Sequence, residues 1–141
     1  MEAKNLAVTK VSEEQINTFL ESLNGKCGYF DMYHFWGPTN CFCVPEAIAV
    51  VMDEHNWSDC GGGIERNNSI KIFNEKLEII AESAGVNYRH RSDGRYDNYF
   101  NEYREILDVK KTSGGFDIKV MTGVGRERTV HVPRKSPNKA E

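Results

Sequence analysis

Residues 37–52, GPTNCFCVPEAIAVVM, are the stretch whose reading decides the fold. Val44, Ala47, Ile48, Val51 and Met52 recur at the spacing of one helix face, so the stretch predicts a helix over 44–52. Pro45 fixes where that helix can begin. A proline is tolerated in the first turn, where amide donors have no intrahelical acceptor, and not further in. Cys43 then lies at the helix start and Cys41 just outside it. The positive end of a helix dipole favours the thiolate, so Cys43, with Cys41 as the alternative, is the candidate nucleophile.

Outward from this stretch the same periodicity recurs. Ile16, Phe19, Leu20 and Leu23 follow Ser12, which with Gln15 forms a capping box, and Gly25 supplies a stop. They predict a helix over 13–24. Ile70, Phe73, Leu77, Ile80 and Ala84 predict another over 70–84, ended by Gly85. Tyr96, Tyr99, Phe100, Tyr103, Ile106 and Leu107 predict a fourth over 96–107. After Gly114-Gly115, Phe116, Ile118 and Val120 alternate as a strand, and the turn GVGRE leads to a second strand, RTVHV. The expected fold class is therefore α+β: about four helices packed on a small, mostly antiparallel sheet with a C-terminal β-hairpin. Two strands alone are marginal, so a third is expected from residues 5–11, 27–36 or 86–89.

The chain has 141 residues, of which 39% are hydrophobic and 28% charged, the composition of a soluble globular protein. That length fits one domain, read as residues 1–133, with a basic flexible tail over 134–141. No apolar run approaches the roughly 20 residues that span a bilayer, so no membrane association is expected. The N-terminus, MEAKNLAVTKVSEEQ, has no apolar signal segment, which points to the cytoplasm. In that reducing compartment Cys27, Cys41, Cys43 and Cys60 are expected as free thiols.

Charge is uneven. Residues 1–85 carry 13 acids and 6 bases, net −7, and residues 86–141 carry 8 acids and 12 bases, net +4. Arg89, His90, Arg91 and Arg95 flank the tyrosine-rich segment, and Arg126, Arg128, Arg134 and Lys135 lie near the C-terminus. Tyr, Trp and Arg are the residue types that dominate protein–protein hot spots, so another protein is the expected partner. The acidic pI near 5.8 argues against a nucleic-acid protein.

A thiolate needs a base, and His131 sits in the last strand on the face opposite Val130 and Val132. Asn40 could donate to an oxyanion. A helix-borne cysteine early and a strand-borne histidine late resembles the order in papain-like cysteine peptidases and related thiol hydrolases. The resemblance covers these two short segments. It implies acyl transfer or amide hydrolysis by Cys43 or Cys41, with His131 relaying the proton. The orienting Asp or Asn of such enzymes has no counterpart on a later strand, since Asn138 falls in the tail. No cofactor is expected. A zinc site built from Cys27, Cys41, Cys43, Cys60, His34 and His55 has only one tight C-x-C pair to support it. Gly61-Gly62-Gly63 lacks the lysine and spacing of a phosphate loop. The rival to the hydrolase is a noncatalytic adaptor or inhibitor that binds another protein through an aromatic and arginine surface.

Overall fold

The computed structural model describes residues 2–29, 32–58, 63–83, 86–90, 96–97 and 102–135. It is mostly strand, 64%, with one α-helix among the described residues, and its strands form two sheets. The expected α+β class with about four helices is therefore corrected.

The strands are β1 (Glu2–Lys4), β2 (Gly25–Tyr29), β3 (Met32–Val44), β4 (Ala47–Ser58), β5 (Gly63–Phe73), β6 (Ile79–Glu82), β7 (Val86–His90), β8 (Tyr96–Asp97), β9 (Tyr103–Thr112), β10 (Gly115–Thr122) and β11 (Glu127–Pro133). The helix, α1, spans Glu13–Ser22. The large sheet runs β1-β3-β4-β5-β7-β8, with β2 pairing with β3 beyond β1 and β6 pairing with β5. The second sheet is β11-β10-β9. All pairs are antiparallel except β1 with β3.

Residues 44–52 form a turn and a strand. Pro45 and Glu46 close a hairpin in which Val44 pairs with Ala47. Proline sets the first turn residue near its fixed φ, and Glu46 takes φ +70°, the combination a type II turn requires. The strand that follows is buried on both faces: Ala47, Ala49 and Val51 pack toward the second sheet, and Ile48 and Val50 toward α1. Burial on both faces removes the alternation that marks an ordinary strand, and the resulting apolar run matches helical spacing by coincidence.

The expected helix over 70–84 is also corrected. Ile70, Ile72 and Phe73 end β5, and a tight turn leads into β6. In that turn the Asn74 side-chain oxygen accepts from the amides of Lys76 and Glu78, both at 3.0 Å, and Leu77 takes φ +65°. Of the expected helix over 96–107, Tyr96–Asp97 and Tyr103–Thr112 are strands, while Tyr99 and Phe100 lie outside the described residues. The hairpin of β10 and β11 and the helix after Ser12 stand where the sequence places them. Ser12 Oγ accepts from the Gln15 amide at 3.1 Å, and Gln15 Oε1 accepts from the Ser12 amide at 3.2 Å.

Three layers result. One core lies between the two sheets, built on Val51, Ile70, Ile72, Ile106, Phe116, Ile118, Val120 and Val132. A second lies between the other face of the large sheet and α1, built on Ile16, Leu20, Ile48, Val50 and Phe73. Two buried asparagines fasten the sheets. Asn40 accepts from the Ile106 amide at 2.8 Å, and Asn68 accepts from the Tyr103 amide at 2.7 Å. At the chain end the Arg134 amide donates to Gly114 and the Lys135 amide to Ile80, so these two residues of the expected tail are tied down. Residues 136–141 lie outside the described residues.

Candidate functional site

The structure places the four residues expected to act on a substrate in different layers. Cys41 and Cys43 point to the α1 side of β3, both fully buried among Ile48, Val50, Ile16 and Leu20. The interaction between the two neighbouring thiols is the main cause that pushes the Cys41 thiol up, burial adding to it, while it lowers Cys43 against the opposing effect of burial. Neither thiol stands at a helix start, because Pro45 begins a turn. Asn40 is buried on the opposite face of the same strand and spends its oxygen on the Ile106 amide. His131 lies on the outer face of the second sheet, where Nδ1 meets Asp117 Oδ1 at 2.8 Å. Two sheet backbones and the core between them separate His131 from the thiols, and packed sheets stand about 10 Å apart. Cys43 and His131 are not brought together.

The other expected groupings fare as follows. Among the described residues no group of three His, Cys, Asp or Glu side chains could hold a metal ion. Cys27, Cys41 and Cys43 are free, and Cys60 lies outside the described residues. So do Gly61, Gly62, Arg91 and Arg95, while Arg126, Arg128 and Arg134 are exposed. No helix among the described residues is long and apolar enough to cross a membrane.

What the structure does assemble lies on the half of the large sheet that, among the described residues, the other layers do not cover. At about 3.3 Å per residue, the 13-residue β3 is roughly 40 Å long and the 8-residue β10 about 26 Å. The large sheet therefore outreaches the second sheet. On the overhang facing the second sheet's side, Tyr33 and Phe35 are 41% and 42% exposed. Phe35 pairs with His55 across the strands, and their rings stack at 4.6 Å between centroids and 23° between planes. His55 Nε2 in turn meets the carboxylate of buried Asp53 at 2.8 Å. The histidine is thus fixed from both sides, by an aromatic face and by a charge.

The opposite face of the same strands is polar. Cys27 stands across from His34 in the β2–β3 register, and Trp36 stands across from Gly25 and Glu54. The Trp36 ring covers Gly25 so closely that a Cβ there would come within 2.2 Å of it. A cavity of about 90 Å³ opens beside it, lined by Trp36, Met52, Glu54, Asn67, Ser69 and Lys71.

Comparison with protein-family models, with curated proteins and with solved structures finds no match to this chain.

Sequence reasoning missed Tyr33 and Phe35 as site residues and considered His34 and His55 only as zinc ligands. Their signal is the aromatic richness of 27–42, CGYFDMYHFWGPTNCF, which exceeds what the core uses. With β3 recognised, period-two alternation would have put Tyr33 and Phe35 on one face and His34 and Trp36 on the other.

Proposed function

We propose that the protein is a noncatalytic binding protein that docks another protein through the open aromatic face of its large sheet. The observation that carries this is the pair of exposed aromatics, Tyr33 and Phe35, on an overhanging strand, with Phe35 stacked on a histidine anchored by Asp53. Aromatic side chains held rigid before contact offer large apolar area at little entropic cost, which is what a binding hot spot needs. The placement of Cys41 and Cys43 in a core, away from His131, weighs against acyl transfer at the expected residues. The free thiols Cys27, Cys41 and Cys43 fit a reducing compartment, and the cytoplasm is the proposed location.

The test is affinity capture with the full chain and with a Tyr33→Ser/Phe35→Ser variant, alongside sedimentation of each. Loss of a hot-spot aromatic costs about 2 kcal/mol or more, so the variant should lose at least roughly tenfold in partner recovery. Undiminished recovery by a variant with unchanged circular dichroism would contradict the proposal. A wild-type dimer that the variant dissolves would assign the face to self-association instead.

A further inference from the structure

We infer that Cys27, His34 and Glu54 form a thiol–disulfide exchange site for low-molecular-weight disulfides on the polar face of the overhang. Cys27 is exposed, unlike the buried Cys41 and Cys43. It lies on β2, directly across from His34 on β3. Directly opposed residues on an antiparallel pair share a face, with Cβ atoms about 4.5–5.5 Å apart, so thiol and imidazole meet by a side-chain rotation alone. His34 Nε2 is buried, accepts or donates no hydrogen bond, and lies 3.6 Å from Glu54 Oε1. The Trp36 ring, 4.9 Å from the imidazole between centroids, packs beside it. Nucleophile, base and carboxylate thus follow one another across three adjacent strands, β2, β3 and β4.

The chemistry suits exchange better than acyl transfer. Attack on a carbonyl develops an oxyanion that needs preorganised donors, whereas attack on a disulfide leaves the charge on sulfur. In the step, His34 takes the proton of the Cys27 thiol as Sγ bonds to one sulfur of the disulfide. The substrate's S–S bond breaks, and the departing thiolate recovers the proton from the imidazolium. One disulfide is consumed and one mixed disulfide forms, with no net oxidation. Glu54 faces the imidazolium that carries the proton between the two sulfurs, and it also lines the 90 Å³ cavity, which can receive a small polar tail. On this face Cys27 stands across from His34 on β2, and Glu54 faces its ring from β4.

The experiment incubates the full chain with glutathione disulfide and follows adducts by peptide mass spectrometry, for wild type, Cys27→Ser and His34→Gln. Wild type should gain one adduct, on Cys27, at about pH 7, and Cys27→Ser should gain none there. His34→Gln should form the adduct at least about tenfold more slowly at that pH. Near pH 10, above the ordinary thiol range of about 8.5, a thiol ionises without a base and the two rates should converge. A purely structural role for His34 would slow both equally. Equal rates at neutral pH, a deficit that persists near pH 10, or an adduct appearing first on another cysteine would overturn the assignment.

Discussion

Asn40 illustrates what a single residue does and does not disclose. Its polarity beside two cysteines suggests an oxyanion donor, but its oxygen accepts from the Ile106 amide, 66 residues away. Nothing local in the sequence marks that partner. Asn68 repeats the device, accepting from the Tyr103 amide and donating to the Tyr103 carbonyl. Removing either side chain leaves a buried amide of β9 without an acceptor, which costs about 1–3 kcal/mol. Asn40→Ala and Asn68→Ala should each lower unfolding free energy by that amount in a urea titration, with the slope unchanged. A cost below about 0.5 kcal/mol for both would show that the two sheets are held by apolar packing alone. Cys41 and Cys43 show the same gap: read as candidate nucleophiles at a helix start, they lie buried in a core, where free cysteines most often sit.

At the scale of elements, legibility follows whether one face or two is buried. α1 has a single apolar stripe and a capping box, and both can be read from the sequence. Replacing Ser12 with alanine should cost about 1 kcal/mol, read by thermal unfolding. The β10–β11 hairpin has one buried face, so alternation marks it. β4 is covered on both faces and β5 ends in a bulge between Ile72 and Phe73, so their apolar residues fall at helical intervals instead. Glu46 is the local clue that 44–52 turns. A left-handed conformation at a residue with a Cβ costs about 1–2 kcal/mol, and asparagine tolerates it better. Glu46→Asn should therefore raise stability by roughly 0.5–1 kcal/mol, net of the exposed pair to Lys111, if Pro45-Glu46 is a turn. In a helix the same change would destabilise.

At the scale of the molecule, the large sheet is the element shared by both cores, with α1 on one face and the second sheet on the other. Most contacts that define this arrangement join residues distant in sequence, which is why four helices could be read where the described residues hold one. The same arrangement divides the chemistry: the Cys41–Cys43 pair is sealed under α1, His131 faces solvent beyond the second sheet, and the open half of the large sheet presents Tyr33, Phe35 and His55. The most direct measurement of that account is amide hydrogen exchange on the protein with and without the partner recovered by capture. The account predicts slowed exchange in complex for residues 32–36 and 53–56, with 115–133 unchanged. Slowed exchange confined to β10 and β11, around Asp117 and His131, would contradict it.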